Sequence, residues 1–157
     1  MSVDVGTKAP DFTLVDQDRQ PVTLSAQAGH PVVLAFFPAA FSSVCTTELC
    51  TFRDSMARLN SANATVYGIS VDTFFTLNAF RTAQGLNFSL LSDFNKEVIK
   101  AYGCYNPDMI GLHGISKRAV FVIDAQGIVR HAEVLEDARN EPSYDAVFAT
   151  LAGLQGR

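Results

Sequence analysis

Two cysteines stand close together after an apolar run in the stretch FFPAAFSSVCTTELCTFRD, residues 36–54. Cys45 and Cys50 are five positions apart, a spacing that matches neither a zinc finger nor a Cys-x-x-Cys pair. The chain has 157 residues and three cysteines. A chain of this length can bury a core without disulfides to support it. The cysteines therefore indicate redox or catalytic chemistry rather than a structural role.

Cys45 is expected at the beginning of a helix. Unpaired N–H groups and the partial positive charge of a helix N-terminus stabilise a thiolate over a thiol. The hydroxyl of the preceding Ser42 or Ser43 could cap the helix, or donate a hydrogen bond to the sulfur and to the molecule it attacks. Pro38 could end the preceding strand or shield the sulfur from solvent. The helix is predicted from an apolar stripe at steps of four, three, four and three: Cys45, Leu49, Phe52, Met56 and Leu59.

The pair of cysteines allows two interpretations. Five residues along an intact helix advance ~7.5 Å and turn ~140°, which places Cys45 and Cys50 on different faces. Their Cα atoms would then lie beyond the ~7 Å limit for a disulfide. A bridge between them requires the first helical turns to unwind, which would make the pair a switch. Alternatively, Cys50 is a small apolar residue that packs in the core.

The elements around this helix predict one three-layer α/β/α domain that spans residues 1–157, with a mixed central sheet and an N-terminal β-hairpin. The apolar run 31–38 suits a buried strand, and the crevice beyond the carboxyl ends of such strands is where ligands bind. Cys45 falls there. The other predicted elements are hairpins at 9–25 and 118–134, a strand at 64–72, an extended segment at 88–93, and helices at 76–85, 95–103 and 141–154.

Charge and composition exclude several classes of function. The net charge of −4 argues against a nucleic-acid partner, because phosphate contacts need clustered Lys and Arg. The sequence shows no signal-peptide pattern and no apolar run near the ~20 residues of a membrane span, so we expect a cytoplasmic protein without a membrane partner. His30, His113 and His131 are scattered, so we expect no metal site and no cofactor.

The stretch from Pro38 to Cys45, PAAFSSVC, resembles the active-site pattern P-x-x-x-[TS]-x-x-C of the peroxiredoxins, with Ser42 at the Thr position. The segments GTKAPDFTL, YGISVD, FSLLSD and RAVFVIDAQGIVRHAEV also resemble that family, in the same order. The similarity is greatest to the AhpE-like and bacterioferritin-comigratory-protein (Q-type) groups. It implies a thioredoxin-like fold and a thiol-dependent peroxidase.

The resemblance also implies roles for individual residues. Cys45 would be the peroxidatic cysteine, which attacks a peroxide oxygen and becomes a sulfenic acid. Pro38 would cover the sulfur, and Ser42 would hydrogen-bond the peroxide. Arg118, in SKRAVFVID, would contact the thiolate and the peroxide, whereas composition alone would make it a solvated residue at the start of a strand. Glu48 would orient that arginine, although by itself it could be only an acid near a helix start.

The regeneration of Cys45 is the step that the resemblance leaves open. Cys50 matches the resolving cysteine of the Q-type members, which would form an intramolecular disulfide with Cys45. Some AhpE-like relatives resolve with an external thiol instead. Cys104 lies outside the family pattern and could be a buried bystander or an alternative resolving thiol.

The expected partners are a peroxide and a thioredoxin-like or low-molecular-weight thiol, and the chain could be a monomer or a homodimer. Two other functions share the same residues. A thiol–disulfide reductase of this fold would have a Cys-x-x-Cys at the helix start, which the Cys45 to Cys50 spacing misses. A redox sensor would react once with peroxide and signal to a partner.

Overall fold

A seven-stranded mixed sheet forms the centre of the protein in the computed structural model, which describes residues 3–154. The strands are β1 (Thr13–Asp16), β2 (Pro21–Thr23), β3 (Val32–Phe36), β4 (Thr65–Ser70), β5 (Ser89–Ser92), β6 (Tyr105–Asn106), β7 (Ile115–Ser116), β8 (Arg118–Ile123) and β9 (Val129–Leu135). The helices are α1 (Ser43–Asp54), α2 (Met56–Ser61), α3 (Phe74–Gln84), α4 (Glu97–Ala101) and α5 (Tyr144–Leu154). Each predicted element has a counterpart here.

The order of strands in the main sheet is β2-β1-β5-β4-β3-β8-β9. Strand β3 pairs in parallel with β4 and antiparallel with β8. All five residues of β3 are buried, because strands and covering elements enclose it on every side. The hairpin β1–β2 and the hairpin β8–β9 form the two edges of the sheet. The mixed sheet and the N-terminal hairpin expected from the sequence are confirmed.

Two layers of apolar residues cover the two faces of the sheet. Helices α1, α2, α3 and α5 pack on one face, where Leu49, Phe80 and Phe148 belong to one buried cluster. Helix α4 packs on the other face together with the loops around Leu24 and Tyr102. The three-layer arrangement is therefore confirmed. Within residues 3–154 no helix is long and apolar enough to cross a bilayer.

The helix that begins near Cys45 is shorter than its apolar stripe suggests. Helix α1 ends at Asp54, and α2 begins again at Met56. Ser55 lies between them with φ −99° and ψ 5°, and its amide donates to both Thr51 and Phe52. Serine favours such junctions because its side chain competes with the helical backbone for hydrogen bonds. The prediction of one continuous helix is wrong here, although the stripe residues Cys45, Leu49, Phe52 and Leu59 are buried as expected.

A second, two-stranded sheet was not predicted from the sequence. Strands β6 and β7 pair antiparallel and have two residues each, too short to show any alternation of apolar and polar residues. They close the loop 107–114. Its residues Met109 and Ile110 belong to the cleft described below.

Gly68 of β4 allows α1 to pack closely on the sheet. A Cβ atom at this position would lie 2.7 Å from Leu90 Cδ2, 3.3 Å from Phe37 Cε1 and 3.7 Å from Leu49 Cδ1. Phe37 and Leu49 flank the segment that carries Pro38, Ser42 and Cys45, so the space above Gly68 helps to position that segment.

The substitution Gly68→Ala should therefore destabilise the protein. We expect the free energy of unfolding to fall by about 2 kcal/mol, because the added methyl group overpacks a filled core. Urea unfolding followed by circular dichroism measures this change. The control is Gly153→Ala in α5, which adds the same methyl group where nothing lies within 4 Å. Equal stability of the two variants would show that Gly68 is not a packing constraint.

Candidate active site

Cys45 lies in the first turn of α1, where the sequence predicted it. Ser42 is the N-cap residue of the helix, and Cys45 is its third residue. The residue is fully buried, and its Sγ accepts a hydrogen bond from Nη2 of Arg118 at 3.3 Å. A thiolate in this position faces a fixed positive charge as well as the helix N-terminus.

Arg118 reaches Cys45 because of the strand register. It is the first residue of β8, and its neighbour Ala119 pairs with Phe36 at the end of β3. Because β8 runs antiparallel to β3, its beginning lies beside the loop that connects β3 to α1. Residues 73 positions apart in the chain thus meet at this edge of the sheet.

The guanidinium group of Arg118 is buried, and each of its three nitrogen atoms donates at least one hydrogen bond. Nη1 donates to Glu48 Oε1 at 2.8 Å, and Nη2 and Nε donate to the carbonyl oxygen of Ala138 at 2.9 and 3.3 Å. Burial acts to lower the pKa of Arg118, but the charges of Glu48 and Cys45 outweigh it and raise the pKa. Arg118 is therefore a permanent cation held in one orientation. The carbonyl group of Ala138 was missed by sequence reasoning, because backbone groups leave no trace in the residue types.

Glu48 is the carboxyl group on the other side of Arg118. It has no exposed surface, and Oε2 has no hydrogen-bond partner among the described residues. Burial raises the pKa of Glu48 from its ordinary value near 4.5 to about 7, against the opposing pull of Arg118. The charges of Glu141 and Glu133 add to this increase. A carboxyl group with a raised pKa thus adjoins the arginine.

The turn between β3 and α1 carries the two other residues predicted at the site. Pro38 is buried there. The Ser42 hydroxyl donates to the carbonyl oxygen of Ala39 at 2.8 Å and makes no cap bond with the helix. The interpretation that the Ser42 hydroxyl caps helix α1 is therefore wrong, because this hydroxyl donates to the carbonyl oxygen of Ala39 instead. To donate to a bound peroxide, the hydroxyl would have to rotate away from Ala39.

An open cleft of about 610 Å³ leads to these residues. Val44, Met109 and Ile110 form an apolar side of it, and Arg139 is also in its wall. Sequence reasoning missed the apolar side, because the loop 107–114 shows no periodic pattern. The full lining is Pro38, Ser42, Ser43, Val44, Met109, Ile110, Arg118, Glu136, Asp137, Ala138 and Arg139.

Cys50 lies in the same helix as Cys45 but has different neighbours. Helix α1 is continuous from Ser43 to Asp54, and the two thiols are not bonded to each other. Cys50 is partly buried, and its Sγ donates to Oε1 of Gln84 at 3.7 Å. The structure thus holds both cysteines reduced, with Cys50 directed to α3.

Cys104 lies on the opposite side of the sheet. It belongs to the core cluster of Tyr102 and Phe121, whereas Cys45 belongs to the cluster of α1 and α5. Burial raises the pKa of the Cys104 thiol to about 12, with a small opposing effect of Lys117. The raised pKa of Cys104 and the sheet between the two thiols are both unfavourable to a reaction of Cys104 with Cys45. These features favour the interpretation of Cys104 as a buried bystander.

Among the residues that the structure describes, no group of three or more His, Cys, Asp or Glu side chains is placed to hold an ion.

Comparisons with known proteins place the chain in a large group of relatives. Residues 5–132 match the AhpC/TSA family. Alkyl hydroperoxide reductase E of Mycobacterium tuberculosis is 41% identical over 154 residues, which are 95% of this chain and 98% of that protein. The chloroplastic peroxiredoxin Q of Oryza sativa subsp. japonica is 40% identical over 129 residues, 82% of this chain and 58% of that protein. The crystal structure of peroxidoxin BcpB from M. tuberculosis superposes with a TM-score of 0.88 at 32% identity, over 98% of this chain and 99% of that one.

The proton on Glu48 gives a prediction about stability. Because the folded protein keeps this proton to a higher pH than the unfolded chain, the folded state binds more protons between pH 4.5 and 7. The free energy of unfolding contributed by Glu48 therefore falls as the pH rises through that window. The variant Glu48→Gln cannot titrate. Its stability relative to wild type should increase by up to about 3 kcal/mol between those pH values. Urea unfolding at several pH values measures the difference, and a difference that does not change with pH would contradict the assignment.

Proposed function

We propose that this chain, which belongs to the AhpC/TSA family and is a peroxiredoxin, reduces hydrogen peroxide and organic hydroperoxides through a sulfenic acid at Cys45. The protein is a thiol-dependent peroxidase by its family, and the assignment of its residues is our proposal. One observation carries that assignment: Arg118 donates to Cys45 Sγ at 3.3 Å while Glu48 and Ala138 hold its other nitrogen atoms. A buried thiol beside a fixed cation at a helix N-terminus is a prepared nucleophile.

In the first half of the reaction the Cys45 thiolate attacks one oxygen of the peroxide. The S–O bond forms as the O–O bond breaks, and the leaving oxygen takes a proton and departs as water or an alcohol. Arg118 stabilises the negative charge that moves from sulfur to the leaving oxygen. Pro38 limits the access of solvent, and Ser42 donates to the peroxide once its hydroxyl leaves Ala39.

In the second half of the reaction we propose that Cys50 attacks the sulfenic acid. A disulfide between Cys45 and Cys50 forms, and water leaves. Both residues belong to the continuous helix α1, so this step requires its first turns to unwind. A thioredoxin-like or low-molecular-weight thiol then reduces the disulfide and restores both cysteines.

A one-cysteine mechanism is the second candidate. The contact of Cys50 with Gln84 and the intact helix α1 favour it, because both keep Cys50 away from Cys45. An external thiol would then reduce the sulfenic acid directly. A redox sensor would use the same disulfide without repeated turnover. The cytoplasmic location and the choice between monomer and homodimer stay predictions.

The apolar side of the cleft supports organic hydroperoxides as substrates. Val44, Met109 and Ile110 would contact an alkyl substituent while the peroxide group faces Arg118. A relative of similar length carries the name alkyl hydroperoxide reductase E, which agrees with this substrate class.

Oxidation with one equivalent of hydrogen peroxide, followed by intact mass and peptide mapping, tests the cysteine assignment. Wild type should lose two hydrogens and yield a linked Cys45–Cys50 peptide. The variant Cys50→Ser should gain one oxygen on Cys45, and Cys45→Ser should neither react nor turn over peroxide. A wild-type protein with one added oxygen and no linked peptide would establish the one-cysteine mechanism. Retained turnover in Cys45→Ser would exclude Cys45 as the nucleophile.

The substitution Arg118→Lys tests the role of the cation. A lysine keeps the charge, but its single ammonium group cannot reach Cys45, Glu48 and Ala138 in the same arrangement. We expect the rate constant of peroxide reduction, measured by stopped-flow competition, to fall about 100-fold. The control is Arg130→Lys on β9, where the arginine pairs with Asp124. Similar rates in all three proteins would show that the reaction does not need the guanidinium group of Arg118 and its fixed hydrogen bonds.

A further inference from the structure

The turn that connects β3 to α1 is held in a strained shape. Phe41 has φ +69°, a left-handed conformation that costs a residue other than glycine about 1–2 kcal/mol. Its side chain is 53% exposed, with the ring 5.0 Å from that of Phe80. The turn spans Ala39 to Ser42, and the Ser42 amide and hydroxyl both donate to Ala39. A strained turn of this kind persists only if contacts from outside hold it.

The carboxylate of Asp72 supplies such a contact. Its Oδ2 accepts a hydrogen bond from the amide of Ala40 at 2.8 Å and another from the hydroxyl of Ser70 at 2.6 Å. Hydrogen bonds to an ionised acceptor are stronger than those between neutral groups. The backbone carbonyl group of Asp72 separately accepts from the hydroxyl of Ser92 at 2.7 Å.

Sheet topology explains why Asp72 can reach the turn. It follows β4, which runs parallel to β3, so the segments after both strands emerge at the same edge of the sheet. Asp72 is 32 residues from Ala40 in the chain. It has no hydrogen bond with Cys45, Arg118 or Glu48, whose contacts with one another come from α1 and β8.

We propose that Asp72 is a positioning residue for peroxide reduction, which acts by holding the amide of Ala40 and with it the turn between Pro38 and Ser42. The proposal rests on the assignment of Cys45 as the nucleophile and of this turn as the peroxide-binding segment. It predicts that the reactivity of Cys45 with peroxide can be lowered without lowering its reactivity with an alkylating agent. The reaction with peroxide needs the turn, because Pro38 and Ser42 must be in place. The reaction with a small alkylating agent needs only the thiolate, which Arg118 and the helix N-terminus support.

The test measures both reactions on the same proteins. Each variant is made in the full chain with Cys50→Ser, so that Cys45 is the thiol that reacts, because burial raises the pKa of Cys104 to about 12 and keeps that thiol protonated. The rate constants with hydrogen peroxide and with iodoacetamide are then determined at one pH. For Asp72→Ala we expect peroxide reduction to slow about tenfold, because a 1 Å displacement of positioning groups is enough for that loss. Alkylation by iodoacetamide should change by less than about twofold, since the thiolate contacts remain.

Two further variants make the result specific. Asp72→Asn keeps an acceptor oxygen for Ala40 without the charge, so its peroxide rate should fall only about threefold, between alanine and wild type. It also provides the test if Asp72→Ala does not fold. Ser92→Ala removes the contact behind Asp72 but leaves the bond between the carboxylate and Ala40, so it should react with peroxide at the wild-type rate.

Three outcomes would overturn the proposal. Peroxide rates in Asp72→Ala and Asp72→Asn equal to wild type would show that the turn does not need the carboxylate. Equal losses in both reactions would show that Asp72 supports the fold as a whole. If Ser92→Ala lowered the peroxide rate constant as much as Asp72→Ala does, the slower reaction would be due to the backbone after β4 and not to the carboxylate. A different failure, no reaction of Cys45 with peroxide in the Cys50→Ser protein itself, would instead reject the proposed function.

Discussion

The buried guanidinium group of Arg118 is the constraint on which the rest of the site depends. Removing a cation from water is unfavourable unless every donor finds a partner. Here Cys45, Glu48 and the carbonyl group of Ala138 provide those partners. They come from two parts of the fold. The start of α1, which carries Cys45 and Glu48, approaches the beginning of β8, and the loop after β9 brings Ala138 to the same arginine. Low-polarity surroundings make the Arg118 cation costly to bury. They also strengthen its electrostatic attraction for a thiolate at Cys45.

This arrangement concentrates chemistry at one edge of the sheet. The segment after β3 carries Pro38 and Ser42, the segment after β4 carries Asp72, and the beginning of β8 carries Arg118. Parallel pairing of β3 with β4 and antiparallel pairing of β3 with β8 bring these three chain segments together. The remaining wall of the cleft comes from the first residues of α1 and from loops, including the one that β6 and β7 close.

The three cysteines differ in burial and in neighbouring groups, and these differences suit them to different roles. Cys45 is buried beside a cation, and its Sγ accepts a hydrogen bond from Arg118. Cys104 is equally buried, but its thiol donates to the carbonyl oxygen of Tyr102, and burial raises its pKa to about 12. Cys50 is partly buried against Gln84 in an intact helix, a position compatible with packing and with a conformational switch. The helix itself separates the two proposed half-reactions, because α1 must be folded for Cys45 to react and unfolded for Cys50 to reach it.

The sequence by itself predicted most of the elements and indicated Cys45 as the proposed nucleophile. The apolar run before Pro38, the stripe that begins at Cys45 and the spacing of the two cysteines are local patterns, and local patterns reflect the periodicity of strands and helices. Within that framework, the family resemblance was needed to select Arg118, because nothing local distinguishes a buried arginine from a solvated one. The tertiary structure alone decided the contact of Ala138 with Arg118, the rotation of the Ser42 hydroxyl toward Ala39, the break at Ser55 and the hydrogen bond from Ala40 to Asp72. These depend on backbone groups and on residues far apart in the chain, whose proximity is set by strand pairing and core packing.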